Sequence, residues 1–355
     1  MQRLLLLGTS MALAIFGQPN ASSDAVTDMA NVTVMTFNVE NLFDTADDKD
    51  KDDHTYLPRS VKDDPAHTAK CAPIAVKRWR HECLELDWNE QVLDFKLSQL
   101  AGVILQVNAG LGPDIISLQE VENSEVLSRL SREYLKSAGY GEAILIEGRD
   151  RRGIDVAFLS RLPLVASPVL HAFDASDFTE RQTDTRGVLE ATFELPDGSR
   201  LTALSAHFPA PFHPIEMREL AYEHLNSIRS NIPLHHHVVA AGDFNTPLRE
   251  MTETTILDDH VRPFWTIVHE VDCSGCKGTH YWSPGKSWSF LDMIFYSQSA
   301  HADNTWRIKA GGVFIVDDFP DQLNDDGTVR RFNPEAMRGV SDHLPMVMTL
   351  ERAPE

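Results

Sequence analysis

Six times along the chain, an apolar run ends in an acid, an amide or an imidazole. Val34–Phe37 runs into Asn38, Ile115–Leu118 into Gln119 and Glu120, and Leu201–Ala206 into His207. Val238–Ala241 runs into Gly242, Asp243, Phe244 and Asn245. Phe290 and Leu291 precede Asp292, and Gly339, Val340 and Ser341 precede Asp342 and His343. One such ending is ordinary, because a lone Asp or His usually caps an element or satisfies a core hydrogen bond. Six imply strand ends meeting at one sheet edge, where a rigid scaffold gathers ligand and catalytic groups. Glu120, Asp243, Asp342, Asn38 and Asn245 are hard oxygen donors with no thiol among them. That set suits Mg²⁺, Mn²⁺ or Ca²⁺ better than zinc. His207 and His343 can transfer protons or meet a developing negative charge, and Asp292 is a natural orienter for one of them. Carboxylate-held metal with histidines, and no Ser or Cys nucleophile, fits attack by activated water on a phosphate ester.

The elements that must position these groups are legible. Asn31–Phe37 alternates β-branched and apolar residues, as a strand does. Val92–Val107 carries apolar residues at helical spacing until Gly110, Gly112 and Pro113 stop it. Asp114–Leu118 reads as a buried strand, Glu125–Ser137 as an amphipathic helix, and Ala143–Ile146 and Ile154–Ser160 as strands. Val188–Leu195 and Leu201–Ala206 flank the turn Pro196-Asp197-Gly198-Ser199 and predict a hairpin. Pro214 opens a helix to about Arg229. Strands follow at Val238–Ala241, Phe290–Tyr296 and Met346–Leu350. Interleaved helices and strands with hairpins predict an α/β (α+β) fold whose sheets are mixed.

Six strings carry a resemblance: TFNVENLFD (Thr36–Asp44), PDIISLQEVEN (Pro113–Asn123), LSAHFPA (Leu204–Ala210), GDFNTP (Gly242–Pro247), SFLDMIF (Ser289–Phe295) and SDHLP (Ser341–Pro345). In that order they resemble the endonuclease/exonuclease/phosphatase superfamily, which includes deoxyribonuclease I, and they span about Val32 to Leu350. The resemblance implies a four-layer sandwich, two mixed β-sheets face to face with helices outside. It implies Asn38, Glu120 and Asp342 on the metal side, with Glu120 the principal ligand. Asp243 and Asn245 would place the attacking water and the scissile phosphate, and Asp292 would orient His343. His207 matches a second histidine that contacts phosphate or protonates the leaving oxygen. Which group is base and which acid stays open, since coupled Asp–His sites titrate together. In Asp150–Asp155 (DRRGID), Arg152 could clamp a phosphate, with Asp155 orienting it or a histidine; the alternative is a surface turn leading into a strand. The implied activity is metal-dependent hydrolysis of a phosphodiester, with nucleic acid the leading substrate and a monoester or sphingomyelin the alternatives. The inositol phosphatase branch carries Trp-Cys-Asp-Arg where this chain has Ser289-Phe290-Leu291-Asp292. A non-catalytic binding module on the same fold would be favoured by a missing acid or imidazole, and none of the eight core positions is missing.

The rest of the chain sets the context. Of 355 residues, 32 are Lys or Arg and 53 are Asp or Glu, a net charge of −21. This disfavours binding nucleic acid through a broad basic surface, but not through metal and a few local cations. Met1-Gln2-Arg3, the apolar run Leu4–Phe16 and small residues at Ala21, Ser22, Ser23 and Ala25 have the order of a secretory signal over residues 1–25; the alternative is an uncleaved anchor. The expectation is a periplasmic or secreted monomer, with one catalytic domain over 30–352 and no membrane span after cleavage. Cys71 and Cys83, and Cys273 and Cys276, read as two local disulfides of an exported protein. An acidic, Cys-bearing insertion fills about 44–90. Its Asp48-x-Asp50-x-Asp52 run invites a calcium loop, but position six is Asp53 and position twelve is Arg59, so the EF-hand pattern fails. Asp44–Asp64 therefore reads as a solvated loop. His235-His236-His237 reads as a solvated strand entry, and Trp282 and Trp288 as packing residues or stacking platforms for a base.

Overall fold

The structure is a computed structural model that describes residues 31–173, 186–297 and 305–353; the signal-like segment lies outside them. In chain order the strands are β1 (Asn31–Leu42), β2 (Ile115–Val121), β3 (Ile144–Leu145), β4 (Asp155–Ser160), β5 (Val169–His171), β6 (Val188–Glu194) and β7 (Arg200–His207). They continue with β8 (His237–Asp243), β9 (Trp265–Ile267), β10 (His280–Trp282), β11 (Ser287–Ser289), β12 (Asp292–Ser297), β13 (Trp306–Ile315) and β14 (Met346–Arg352). One six-stranded sheet has the order β13-β14-β1-β2-β4-β3, another the order β5-β6-β7-β8-β12-β9, and β10-β11 form a hairpin. Both large sheets are mixed: β1 runs parallel to β2 and β7 parallel to β8, while the other pairs are antiparallel.

Strands covered on both faces must be apolar on both, and these are. Val34, Ile115, Phe158, Leu189, Leu201, Val239 and Ile294 fill the space between the sheets. Met35, Phe37, Ile116 and Leu118 turn the other way and pack on Leu93, Leu97, Leu100 and Ile104 of the helix Glu90–Ile104. On the far side, Leu204, Ala206, Val238 and Ala240 meet Met217, Tyr222 and Leu225 of the helix Ile215–Asn231. The four layers are therefore helix, sheet, sheet, helix. The predicted helix at Glu125–Ser137 is shorter than its pattern: Ser124–Arg129 is α-helical, Leu130–Tyr134 is a wider π turn, and Lys136–Ala138 is a tighter 3-10 turn ending at Gly139, φ 71°.

The face between the sheets changes character along its length. Val34, Thr36 and Asn38 share it on β1; Ile115, Ser117 and Gln119 on β2; Leu201, Ala203, Ser205 and His207 on β7; Val239, Ala241 and Asp243 on β8. Apolar at one end, it is polar at the other. Ser117 Oγ donates to Ala241 O (2.9 Å) and lies 2.7 Å from Ser205 Oγ, and Gln119 Nε2 donates to Ser117 Oγ (2.9 Å), so the sheets are pinned together just beneath the polar edge. Gly242 is required there: a Cβ would stand 2.1 Å from Ala206 O on the neighbouring strand.

The insertion is not one solvated loop. After irregular backbone at 43–53 it folds into short helices at Arg59–Lys62, Pro65–Cys71 and Lys77–Glu85. Disulfides join Cys71 to Cys83 and Cys273 to Cys276, as the cysteine spacing suggested. His237 is not solvated either: it is buried and its Nδ1 lies 2.8 Å from the Tyr296 hydroxyl, because the third residue of the triplet is already inside β8.

Candidate active site

Strand register assembles the second sheet's contribution. His207 on β7 pairs with Asp243 on β8, and Asp243 pairs with Asp292 on β12. Directly paired residues point to the same face, so an imidazole and two carboxylates form a row across three strands. The chain after β8 then turns through Asn245, φ 50°, whose backbone N–H donates to Asp243 Oδ1 (2.9 Å) and whose amide donates to Phe208 O (3.0 Å).

The first sheet contributes by breaking its own alternation. Gln119 faces the second sheet, so its neighbour Glu120 should face the helices. Instead Glu120 has φ 65°, and Glu40 and Asn41 opposite it have φ 50° and 59°, where the β1–β2 register slips. Each left-handed non-glycine residue costs roughly 1–2 kcal/mol, and the distortion brings Glu120 into the same cavity as Asn38 and His207. Glu120 Oε2 accepts from Asn41 N (3.0 Å), and Oε1 lies 3.9 Å from His207 Nε2. The turn carrying Asp342 and His343 is fastened to β1 by Ser341 Oγ, which donates to Asn38 O (2.7 Å) and accepts from His343 N (3.1 Å).

These groups line one cavity of about 340 Å³, walled by Asn38, Glu120, Asp342, His343, Asp243 and Asn245, with His207 and two arginines. His343 Nδ1 lies 2.6 Å from Asp292 Oδ2, and its Nε2 lies 4.0 Å from Asp243 Oδ2 and 3.9 Å from Asp342 Oδ1. Burial alone would push His343 down, but the charge and hydrogen bond of Asp292, with Asp243 and Asp342, hold it well above its ordinary value. His207 goes the other way: burial first, then the positive charges of Arg186, Arg152 and His343, push it well below 6.5. Asp243 is pushed up to about 7 by burial and by Asp292, against the pull of His343 and a hydrogen bond from Asn38 Nδ2 (3.0 Å). One imidazole thus favours its charged form and the other its neutral form, the separation that acid–base chemistry requires.

Asn38 lines the cavity: its amide donates to Asp243 Oδ2 (3.0 Å) and so positions that carboxylate, and its oxygen accepts one hydrogen bond, from Glu40 N (3.0 Å). Glu120 and Asp342 remain as carboxylates at the cavity wall, and hard oxygens of this kind fit a divalent ion such as Mg²⁺. Asp155 does not reach the cavity; as the first residue of β4 it points inward, 2 % exposed, and accepts from Gly148 N (2.9 Å).

Arg152 does line the cavity, and it has a partner that sequence reasoning missed. Asp150 Oδ2 accepts from Arg186 Nη1 (2.9 Å), and Oδ1 accepts from Arg152 N (2.8 Å) and lies 3.5 Å from Arg152 Nε. One buried carboxylate therefore sets two guanidinium groups side by side. Arg186 Nη2 donates to Phe208 O (3.1 Å), while its buried Nε has no hydrogen-bond partner among the described residues. Nothing in the sequence around Arg186 marks it, since it stands in a polar stretch without a strand or helix pattern. Beneath that wall, Arg218 pairs with Glu250 and donates to Ala210 O (3.0 Å), bracing the loop after His207.

No curated protein matches the sequence. Solved structures match the fold over most of the chain. A humanized TDP2 of D. rerio aligns at TM-score 0.55 and 14% identity, covering 90% of this chain and 98% of that one. An endonuclease/exonuclease/phosphatase from Beutenbergia cavernae aligns at 0.56 and 17%, covering 91% and 72%. The mannosyl-6-phosphatase of Bacteroides thetaiotaomicron aligns at 0.53 and 16%, covering 90% and 99%. The sequence profile of the Endonuclease/Exonuclease/phosphatase family matches residues 35–343, which takes in every strand that feeds the cavity. By that match, and by the two-sheet sandwich that brings its motif residues to one edge, the chain belongs to the Endonuclease/Exonuclease/phosphatase family, whose members are phosphoesterases that use divalent metal ions.

Proposed function

We propose that this protein is an exported, Mg²⁺-dependent phosphodiesterase that cuts nucleic acid. The observation that carries the reading is the mixed lining of one cavity: the carboxylates Glu120 and Asp342, the guanidinium groups of Arg152 and Arg186, and Asp243, His207 and His343. A phosphate ester has anionic oxygens for a carboxylate-held cation and for the arginines at once. A divalent ion held by Glu120 and Asp342 supplies Lewis-acid charge to those oxygens when bound. The guanidinium groups of Arg186 and Arg152 bind the phosphate and fix its orientation. Asp243 and Asn245 hold the attacking water, with Asp243 taking its proton; a carboxylate pushed up to about 7 is basic enough for that role near neutral pH. His343, kept charged by Asp292, faces the phosphate oxygens and can deliver a proton to the leaving oxygen, while neutral His207 donates a hydrogen bond.

Phe212, 83 % exposed at the cavity rim, supports a substrate with a ring to stack there, as a nucleobase does. TDP2 of D. rerio, a structural neighbour in complex with single-strand DNA product, has the same fold (TM-score 0.55, 15% identity). A phosphomonoesterase reading also has an observation in its favour: paired arginines on one carboxylate suit a dianionic phosphate. The disulfides and the signal-like N-terminus support export. Purified protein should be assayed on plasmid DNA, RNA, sphingomyelin and a phosphomonoester with Mg²⁺, Mn²⁺ or Ca²⁺. Nicking of DNA or RNA is expected. Hydrolysis of lipid or monoester with nucleic acid left intact under every metal would overturn the nuclease reading.

A further inference from the structure

We propose that the β10–β11 hairpin is a substrate arm on which Trp282 stacks a nucleobase flanking the scissile phosphate; the inference rests on the nuclease reading above. The hairpin is rooted in the catalytic edge. Thr279, just before β10, accepts from Asp292 N at its Oγ1 (3.0 Å) and from Leu344 N at its carbonyl (2.7 Å), and its own N donates to Ser289 O (2.9 Å). His280 pairs with Ser289 across the hairpin and bridges to His343, and the two imidazole rings lie 5.0 Å apart between centroids. Gly278, φ 147°, lets the base of the hairpin close, since a Cβ there would stand 2.7 Å from Ser289 O. The Cys273–Cys276 disulfide closes the turn before it.

Residues two apart on a strand share a face, so Trp282 stands on the side of the hairpin that carries His280, about 7 Å further out. Tyr281 and Trp288 are paired on the other side, 5.4 Å between ring centroids, so Trp288 packs within the hairpin. Trp282 is 56 % exposed. Its indole lies against Gly285 of the turn, where a Cβ would collide with Cε3 and Cζ3 of the ring. The ring is thereby set against backbone while more than half of the residue faces solvent. A flat ring already held in place loses little freedom when a base stacks on it.

Local charge fits the same occupant. In a chain of net charge −21, no acid stands between Asp272 and Asp292, and that stretch carries Lys277, Lys286 and His280, with both lysines exposed. Such a stretch can meet phosphates that a chain of this charge otherwise repels. A tip that enters a lipid surface needs several apolar side chains together. Here the turn after Trp282 is Ser283-Pro284-Gly285-Lys286, and Trp282 is the one exposed large hydrophobic residue among the described residues of the hairpin. A single flat ring with lysines before and after it in sequence suits a base and its phosphates.

The test compares steady-state cleavage of a single-stranded oligonucleotide with that of the same strand made abasic, for the wild type, Trp282→Ala, Trp282→Phe and Gly285→Ala, with thermal melts to confirm folding. Trp282→Ala should raise KM on the base-bearing strand by about 10-fold with kcat nearly kept. Gly285→Ala should do the same by displacing the ring, and Trp282→Phe should stay near the wild-type KM. On the abasic strand the four proteins should differ little. An unchanged KM in Trp282→Ala, or an equal rise on both strands, would overturn the arm and leave the nuclease reading intact. A wild type that cuts no nucleic acid would overturn both. Loss of binding to phosphatidylcholine–sphingomyelin vesicles in Trp282→Ala, with its oligonucleotide KM unchanged, would overturn the arm in favour of a lipid surface.

Discussion

The two halves of the cavity are made from similar residues and treat them differently. The first sheet and its 341–343 turn offer Glu120 and Asp342, whose side chains keep 16 % and 22 % exposure; the second sheet offers Asp243 and Asp292, at 2 % and 0 %. The first half reaches its geometry by distortion, with left-handed Glu40, Asn41 and Glu120 at the end of β1 and β2. The second half places His207, Asp243 and Asp292 by undistorted pairing of three strands. Exposure leaves Glu120 and Asp342 accessible from the cavity, although Asp342 Oδ2 pairs with Arg331 (3.1 Å) and Glu120 Oε2 accepts from Asn41 N (3.0 Å). Burial beside other charges instead shifts the protonation of Asp243, and the charge of Asp292 holds that of His343. Solvent access thus sets chemically alike acids apart, and the proposed division is ion binding for the first pair and proton handling for the second.

That contrast can be broken experimentally. The largest effect should come from the buried half: Asp243→Asn should lower kcat by about 10³-fold, within the range for removing a positioned acid–base group. Raising Mg²⁺ should not restore it, since steady-state rates across a metal titration would show the same half-saturation as the wild type. Glu120→Gln should also lose activity, but chiefly by shifting that half-saturation upward, so that added metal recovers part of the rate. If metal rescues Asp243→Asn and not Glu120→Gln, the division of labour is reversed. A smaller effect should follow Arg186→Lys, which keeps the charge but loses the planar fork held by Asp150 and Phe208. KM should rise by about 10-fold with kcat nearly kept, because a lysine cannot reproduce a bidentate clamp.

The smallest effect lies outside the cavity. His269 is stacked on Phe290 at 3.9 Å between ring centroids, its Nδ1 is buried with no hydrogen-bond partner among the described residues, and burial pushes it down to about 4. Between about pH 6.5 and 4 the unfolded chain binds a proton there that the folded chain refuses. This residue's contribution is therefore fully present above pH 6.5 and is lost progressively as pH falls towards 4. His269→Phe should flatten that part of a Tm-against-pH profile and leave activity unchanged. An unaltered acid slope would place the sensitive groups in the catalytic row instead.

The sequence itself carried the family motifs, the mixed α/β character, the local cysteine pairs and nearly all the residues that meet in the cavity. It could do so because strands buried on both faces are apolar throughout, so each polar terminus stands out against its own strand. The insertion's short helices were illegible because they carry little apolar periodicity and are packed by disulfide and cluster contacts. Arg186 and Asp150 were illegible for a related reason: their importance comes from facing each other 36 positions apart. The amide of Asn38, the inward turn of Asp155 and the outward swing of Glu120 were likewise decided by tertiary structure. Alternation predicts a face for each strand residue. A left-handed φ at Glu120, or a backbone N–H waiting beneath Gly148 or Glu40, overrides it through hydrogen bonds between segments that meet only after folding.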